Sequence, residues 1–260
     1  MRPASARLRP LLAAALLSPA LLLGACATRP PADDVEALEE YRLNNDPLEP
    51  TNRVLYRVND AIDTAVLAPV ARGYRAVVPG AVRRPIHNVV RNSISPARFV
   101  NGVLQGKPRR AGDALMRFLI NTTVGVGGLF DVATDWGYPA HETDFGVTLA
   151  LWGIPEGPFL FLPIFGPSNP RDTVGVAGSI LSDPLTWATF GGSSAVGWTR
   201  YGVAALDARE RALDPIAEVK RTALDPYATF RSLYRQNRQS EIDRVRADNE
   251  ATIPAWFPRQ

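Results

Sequence analysis

The polar cluster of this sequence with the most chemical potential is His141-Glu142-Thr143-Asp144, with Asp135 shortly before it. An imidazole beside carboxylates could bind a metal ion or act in acid–base catalysis. The same residues could instead begin a helix, because a Thr or Asp side chain at the N-cap accepts a backbone hydrogen bond and negative charge is favourable there. We favour the capping interpretation and predict no metal site and no catalytic residue.

No complete nucleophile or nucleotide-binding motif is present. Residues 166–170 (Gly-Pro-Ser-Asn-Pro) approach a Gly-x-Ser-x-Gly nucleophile elbow but lack its last glycine. Residues 125–130 fail the dinucleotide pattern at its last position. Residues 102–108 are one residue short of a phosphate-binding loop and have proline in place of the hydroxyl that holds Mg²⁺. The sequence therefore predicts a protein that is not an enzyme, uses no ATP and needs no cofactor.

Cys26, the only cysteine, follows a pattern typical of lipoprotein signal peptides. Residues 1–10 hold three arginines and no acid, and the apolar run 11–23 is shorter than the roughly 20 residues that span a bilayer. Residues 23–26 (Leu-Gly-Ala-Cys) resemble the lipobox that lipoprotein signal peptidase reads. We therefore expect cleavage after residue 25 and a diacylglycerol and an N-acyl chain on Cys26. The alternatives are a plain secretory signal with a chance cysteine, or a buried free thiol.

The net charge of +3 belongs to the signal peptide, because its removal takes away three arginines and no acid. The mature chain is therefore near neutral, which argues against a nucleic-acid partner. Ala27 follows the cysteine, whereas an aspartate at that position usually retains a proteobacterial lipoprotein in the inner membrane. We expect a lipid-anchored protein on the periplasmic side of the outer membrane.

Most of the remaining sequence predicts short helices that end at proline or glycine. The clearest amphipathic pattern is at 109–122. Pro69 should break or kink the helix that precedes it, and Ser95 should cap a separate helix with Pro96 at its first position. No alternating pattern is long enough for a sheet, so we predict an all-α fold. The other predicted helices are at 35–43, 51–66, 80–92, 95–106, 143–152, 171–181, 184–190, 195–213 and 226–237.

The boundaries of the chain follow from composition. We divide it into a signal peptide (1–25), a lipidated N-terminus with a Pro-rich tether and a short helix (26–44), a helical domain (45–235) and a charged C-terminal tail (236–260). The charged residues at 239–250 predict a solvated helix end or a disordered segment.

Residues 145–166 form a long apolar stretch whose only charge is Glu156. Pro155, Pro158 and Pro163 argue against a membrane-spanning helix, since each removes a backbone donor that hydrocarbon cannot replace. The stretch is either a buried core segment or a segment that enters one leaflet or lines an apolar cavity. Composition alone leaves these two possibilities open.

Several segments resemble the MlaA (VacJ) family of outer-membrane lipoproteins. They cover roughly residues 45–234 in the family's order. The matching segments are 45–53 (NDPLEPTNR), 117–131 (RFLINTTVGVGGLFD), 141–146 (HETDFG), 152–159 (WGIPEGPF), 162–166 (LPIFG), 170–172 (PRD) and 182–184 (SDP).

The resemblance implies a ring-shaped single domain of many short amphipathic helices around a central lipid channel. Such a protein would remove mislocalised phospholipids from the outer leaflet and pass them to a periplasmic carrier of the Mla pathway, maintaining lipid asymmetry. Association with a trimeric porin is also implied. The candidates for the channel or for a lid over it are Phe145, Leu149, Trp152, Gly153, Gly157, Phe159 and Phe161.

Gly153 and Gly157 bracket Pro155 and could act as hinges of a lid or merely form turns. Two other functions remain open at this point. One is a structural lipoprotein that serves as a scaffold for porins. The other is a membrane-anchored lipid hydrolase, although the sequence supplies no nucleophile with its base.

Overall fold

The computed structural model describes residues 33–187 and 193–248. The predicted signal peptide, Cys26 and most of the Pro-rich tether lie outside these ranges, as do 188–190 of the helix predicted at 184–190. The helices, in chain order, are α1 (Val35–Asn44), α2 (Glu49–Ile62), α3 (Ala68–Val77), α4 (Gly80–Leu104), α5 (Pro108–Thr123), α6 (Val132–Asp135), α7 (Phe145–Leu151), α8 (Pro170–Ser182), α9 (Pro184–Trp187), α10 (Ser193–Arg211), α11 (Leu213–Thr222) and α12 (Pro226–Ala247). Strands β1 (Leu160–Leu162) and β2 (Gly166–Ser168) complete the architecture. The prediction of a mainly helical protein is confirmed.

The chain passes from α2 to α3 without a loop. A single wide π-helical segment, Asp63–Leu67, joins the two helices. Pro69 lies in the first turn of α3 and has no backbone N–H to donate to the preceding turn. The predicted interruption at this proline is therefore confirmed, in the form of a π-helical segment rather than a sharp break.

Helix α4 corrects the prediction of two separate helices at 80–92 and 95–106. It runs unbroken through Pro85 and Pro96. Ser95 is buried inside it and donates its hydroxyl to the backbone oxygen of Arg91 at 3.2 Å, so it is not an N-cap. The reason is tertiary: α4 packs along α5, and Gly102 lies so close to Ala111 that an added Cβ would come within 2.8 Å of its backbone nitrogen.

Helix α12 extends beyond the predicted 226–237 and ends at Ala247. Of the two alternatives predicted for the residues from 239 onward, the structure shows the helix end up to Ala247, but this end is not fully solvated. Ile242 and Val245 are buried against Val147 of α7. Two apolar side chains three residues apart are enough to bind the helix end to the core, although the surrounding residues are charged.

The two strands form an antiparallel hairpin, with Leu160 opposite Ser168 and Leu162 opposite Gly166. Strands of only three residues are too short to produce an alternating sequence pattern, so the sequence did not indicate them. Side-chain amides of α2 take the place of a neighbouring strand. Asn52 accepts a hydrogen bond from the backbone N–H of Phe161 at 2.9 Å and donates to the oxygen of Phe159 at 3.1 Å.

The described core is unusually rich in alanine and in buried ion pairs. Arg231 of α12 donates to Asp46 at 2.8 Å, and Arg238 donates to Asp172 at 2.8 Å. Since these four side chains are almost fully buried, their charges are compensated within the protein rather than by water. Helix α12 is thereby fixed to the N-terminal segment on one side and to α8 on the other.

Candidate functional site

The structure places the predicted channel or lid residues in two groups. At α7, the rings of Phe145 and Trp152 meet edge to face with centroids 6.1 Å apart. At β1, Phe159 and Phe161 lie 6.5 Å apart, and both are buried. Trp152 is more than half exposed. One group therefore presents an aromatic ring to the surroundings, whereas the other belongs to the interior.

The other three candidates lie near α7. Leu149 is buried within this helix. Gly153 and Gly157 have φ angles of 87° and 71°, in the left-handed region that favours glycine. An added Cβ at Gly157 would come within 3.0 Å of Pro170, whereas nothing lies within 4 Å at Gly153. Both glycines thus adopt a backbone conformation that favours glycine, and only Gly157 is also limited by space.

The β1 group is part of an aromatic cluster between α2 and α12. The ring of Tyr56 meets Phe161 edge to face at 5.5 Å, and Phe159 lies 6.2 Å from Tyr227 and 6.1 Å from Tyr234. These arrangements are the favoured geometry for aromatic rings. Tyr227 and Tyr234 of α12 are therefore part of the core packing.

An apolar cavity of about 230 Å³ lies beside this cluster. Phe161 is the one predicted channel residue that lines it. The wall is mostly apolar, and its rim carries two carboxylates and two cations. The lining residues are Tyr56, Asn59, Asp60, Ile62, Asp63, Leu67, Phe161, Ile164, Gly166, Pro167, Arg209, Ile216, Lys220 and Phe230.

The charged rim joins the π-helical segment to α10 and α11. Arg209 donates to Asp63 at 2.9 Å, and the ammonium of Lys220 lies 3.3 Å from the same carboxylate and also contacts Asp60. Burial works to raise the pKa of Asp63, but hydrogen bonds and charge from Arg209 and Lys220 outweigh it and hold the pKa below its usual value. The buried Nη1 of Arg209 has no hydrogen-bond partner among the described residues. The rim therefore contains one buried donor that the described residues leave unpaired.

The sequence-based prediction missed most of this cavity. Two periodic patterns could have indicated parts of it: the apolar residues at helical spacing in 51–66 include Ile62, and the aromatic residues at positions 227, 230 and 234 include Phe230. No local pattern brings Arg209, Ile216 or Lys220 to the same place, because they lie about 150 residues later in the chain. Only the packing of α10 and α11 against the π-helical segment assembles them.

The polar cluster at His141 forms hydrogen bonds and ion pairs and begins a helix. Asp144 caps α7 by accepting from the backbone N–H of Val147 at 2.9 Å, which confirms the capping prediction. The Nε2 of His141 lies 2.7 Å from a carboxylate oxygen of Asp113. Glu142 contacts Arg91 and Arg98. Across residues 33–187 and 193–248, no group of three or more His, Cys, Asp or Glu side chains has the arrangement of a metal site.

The surface of α2 and α3 is apolar over several turns. Its valines lie at helical spacing, and each is about half or more exposed. At the hairpin turn, Ile164 and Phe165 are 72% exposed each. None of the described helices is long and apolar enough to cross a membrane. Of these exposed valines, Val54 and Val58 lie on α2, Val66 lies on the π-helical segment that joins the two helices, and Val70 and Val77 lie on α3.

Comparison with known proteins gives the chain its family. The model of the family described as MlaA lipoprotein matches residues 44–241. The intermembrane phospholipid transport system lipoprotein MlaA of Haemophilus influenzae is 35% identical over 232 residues, which is 88% of this chain and 89% of that protein. The Escherichia coli protein of the same name is 34% identical over 197 residues, 74% of this chain and 76% of that one. This chain belongs to the MlaA lipoprotein family.

A solved structure concerned with maintenance of bacterial outer membrane lipid asymmetry is also similar. It is 34% identical, has a TM-score of 0.66 and matches 76% of this chain and 98% of that chain. This likeness agrees with the expected all-α, ring-shaped fold of an MlaA lipoprotein. The family resemblance of the sequence segments is thereby confirmed.

Proposed function

We propose that this chain moves phospholipids mislocalised in the outer leaflet of the outer membrane through an amphipathic channel to a periplasmic carrier, and so maintains lipid asymmetry. The names of its relatives support this function. The observation that carries it is the cavity with an apolar wall and an ionic rim. A phospholipid has the same division, with acyl chains that need apolar contacts and a phosphate that needs cations.

The cavity provides for both parts of the lipid. Ile62, Leu67 and Ile216 offer apolar contacts to acyl chains, while Arg209 and Lys220 lie where a headgroup phosphate would enter. Such a path needs no catalytic group. It also needs no energy source of its own, because the outer leaflet normally excludes phospholipid and the carrier removes what is delivered.

The exposed apolar faces support contact with the leaflet itself. In water, the valines of α2 and α3 and the hairpin residues Ile164 and Phe165 would be unfavourably solvated, whereas acyl chains would solvate them well. The acyl chains on Cys26 would add about 0.8 kcal/mol per buried methylene. In this proposal the anchor serves mainly for sorting to the periplasmic side of the outer membrane. A Cys26→Ala protein that is exported yet fully functional as a soluble protein would contradict it.

The predicted channel and lid residues keep separate roles in the proposal. Phe161 lines the cavity wall, while Trp152 and Phe145 form an aromatic edge near the membrane surface. Leu149 and Phe159 pack behind these residues in the interior. Gly153 and Gly157 shape the connection between the two groups. Asn tolerates a left-handed backbone better than Ala. If the loop gates lipid entry by hinge motion, Gly153→Ala should slow lipid removal more than Gly153→Asn.

The proposal includes a trimeric porin and a periplasmic Mla carrier as partners, and keeps the divisions at residues 25 and 44, whereas α12 continues past the division at 235 to Ala247. In-cell crosslinking from exposed helix positions should capture both proteins. Capture of neither one would remove the partners from the proposal while leaving lipid binding intact.

Mass spectrometry of the purified protein tests the function directly. Phospholipid should co-purify with the wild-type protein and be reduced by Ile216→Trp, which fills the cavity. Ile180→Trp is the matched control, because Ile180 is partly exposed on α8 and does not line the cavity. Absence of phospholipid from the wild-type protein would overturn the proposal.

Two further results separate the alternatives. Labelled phospholipid that stays chemically intact during incubation contradicts a hydrolase. A deletion strain with normal porin but surface-exposed phospholipid and detergent sensitivity contradicts a pure scaffold. The opposite results would favour the hydrolase and the scaffold, respectively.

A further inference from the structure

A second candidate site, which is polar, lies between α4 and α5, away from the apolar cavity. Polar residues at positions 88, 91, 92, 95 and 98 share one face of α4, since residues three and four apart are neighbours on a helix. They surround a cavity of only about 10 Å³, which is close to the space of one water molecule. The lining residues are Asn88, Arg91, Asn92, Ser95, Arg98, Arg117, Asn121 and Asp131. None of them lines the apolar cavity described above.

The charges at this site do not cancel. Arg117 is neutralised by Asp131, with both carboxylate oxygens 2.8 Å from its Nη2. Burial works to raise the pKa of Asp131, but hydrogen bonds from Arg117, Asn121 and Thr134 outweigh it and lower the pKa. Arg91 and Arg98 share the single carboxylate of Glu142. Three guanidinium groups therefore face two carboxylates, and one positive charge is left over.

Arg98 is the least satisfied of the three cations. Only 12% of its side chain is exposed, and its buried Nε–H has no hydrogen-bond partner among the described residues. Burial lowers the pKa of Arg98, and the nearby charges of Arg91 and Arg117 lower it further against the opposing effect of Glu142. A buried donor without an acceptor is unfavourable. An additional acceptor at this position would therefore be bound well.

Glu142 is held only loosely in its position. Its side chain is 54% exposed and lies in the segment between α6 and α7. The residues on both sides are fixed, since His141 bonds Asp113 and Thr143 accepts from Gln105 at 2.7 Å each. The carboxylate can therefore turn into solvent by side-chain rotation alone. An exposed ion pair contributes little to stability, so a stronger anion can displace it.

The surroundings favour a lipid as the source of that anion. Asn88 donates to the backbone oxygen of Leu129 at 3.0 Å, which joins the site to the 124–130 loop. Val126 and Phe130 of this loop are both more than half exposed. Cations beside exposed apolar side chains match the arrangement of a headgroup above its acyl chains.

We propose that Arg91 and Arg98 form a binding site for a phosphate group, in which the carboxylate of Glu142 occupies the place of two phosphate oxygens until a phospholipid headgroup displaces it. Guanidinium groups bind phosphate oxygens in pairs, and a phosphodiester carries the same single negative charge as the carboxylate that it displaces. The closed cavity is too small for a phosphate, so the group binds at the position of Glu142 rather than inside. The phosphate source rests on the proposed function, whereas the anion site does not.

Binding measurements on the full-length protein in a non-ionic, phosphate-free detergent test the site. The probes are a short-chain phosphatidylglycerol below its micelle concentration, diacylglycerol with the same chains, and inorganic phosphate. Glu142→Gln keeps the size of the side chain and removes the competing charge. It should tighten phosphatidylglycerol binding about tenfold and leave diacylglycerol binding unchanged.

Adding Arg91→Gln to Glu142→Gln should abolish this gain, and Arg91→Lys should retain part of it. Glu218→Gln is the matched control, because Glu218 forms a fully separate exposed pair with Arg221 on α11. Thermal melting of each variant excludes unfolding as the cause of a loss. Equal phosphatidylglycerol binding by the wild-type protein and Glu142→Gln overturns the site.

The inorganic phosphate probe identifies the source. If it competes with phosphatidylglycerol at similar concentrations and shows the same variant pattern, free phosphate rather than a lipid is the ligand, and the lipid part of the proposal falls. Failure of the site leaves co-purified phospholipid and its reduction by Ile216→Trp unchanged. Failure of the proposed function instead removes phospholipid from the wild-type protein.

Discussion

Helix α12 buries charged side chains, whereas the α2–α3 pair exposes apolar ones. The last helix is highly charged, yet it turns arginine and tyrosine inward, where Arg231 and Arg238 meet buried carboxylates. The α2 helix is amphipathic, yet its buried residue is Asn52 and its valines face outward. In a protein surrounded by water alone, the valine side would be expected to face the core.

The two regions differ because different surroundings solvate their faces. A polar side chain can lie inside if its partners are inside too, as Tyr234, Arg238 and Asp172 are for one another. An apolar side chain can lie outside if the outside is also apolar. Both conditions suit a domain that shares its surface with a lipid leaflet, where a polar core and an apolar outer surface are compatible.

The largest expected effect comes from removing a buried cation of α12. Arg238→Met removes the ion pairs that this guanidinium makes with Asp172 and Asp144 and should destabilise the protein by about 3–5 kcal/mol. Arg221→Met breaks an exposed pair with Glu218 and should cost less than about 1 kcal/mol. Denaturant unfolding in detergent measures both. Equal effects would remove the distinction between buried and exposed charge.

Next in size is the polar contact that α2 makes with the hairpin. Asn52→Leu leaves the backbone N–H of Phe161 and the oxygen of Phe159 unpaired and should destabilise by about 3 kcal/mol. Asn59→Leu removes similar bonds at a less buried position and should have a smaller effect. If both variants were as stable as the wild type, the polar face of α2 would not hold the hairpin.

Acid should destabilise the folded protein by protonating Asp172, which binds α12 through Arg238 and Tyr234. Burial works to raise the pKa of Asp172, but hydrogen bonds from Arg238 and Tyr234 outweigh it and lower the pKa below the reference value of 3.8. A depressed pKa means that the unfolded state binds more protons, so stability is full above pH 3.8 and is lost as pH falls through the folded-state pKa.

Thermal unfolding is measured between pH 2 and 6, in steps on the order of a few tenths of a pH unit. These measurements test how stability depends on pH. The Asp172→Asn variant should be less stable at pH 6 and should lose less stability on acidification than the wild type. Parallel curves for the two proteins would mean that other carboxylates cause the acid sensitivity.

The smallest effects belong to the exposed valines. Val58→Thr, Val66→Thr and Val70→Thr should leave unfolding in detergent nearly unchanged, since each side chain is about half exposed. Each substitution should weaken partitioning into phospholipid vesicles about twofold, because it replaces an apolar group that meets acyl chains. Val35→Thr on α1 is the control and should change neither property. Loss of stability without loss of partitioning would indicate that these valines pack against protein.

Several features of the fold could be predicted because their causes are local. Asp144 and Asp225 cap helices by bonding backbone amides three residues ahead, so sequence spacing alone locates them. Pro69 interrupts a helix for a reason contained in its own ring. The family segments likewise predicted the all-α fold.

The candidate site was only partly predictable. Phe161 was named, but Arg209 and Ile216 reach the same cavity through contacts across about 150 residues, which no local pattern encodes. The same holds for Glu142, which meets Arg98 through loop placement rather than spacing.

Local sequence was enough to predict several helix starts, the apolar residues and the family of the chain, because these depend on neighbours along the chain. Which face of each helix is buried depends instead on tertiary packing. The apolar side of α2 could have met the core or the surroundings, and the charged end of α12 could have been solvated. Tertiary packing determines both orientations, because Asn52 accepts a hydrogen bond from the backbone of β1 and Val245 packs beside Val147.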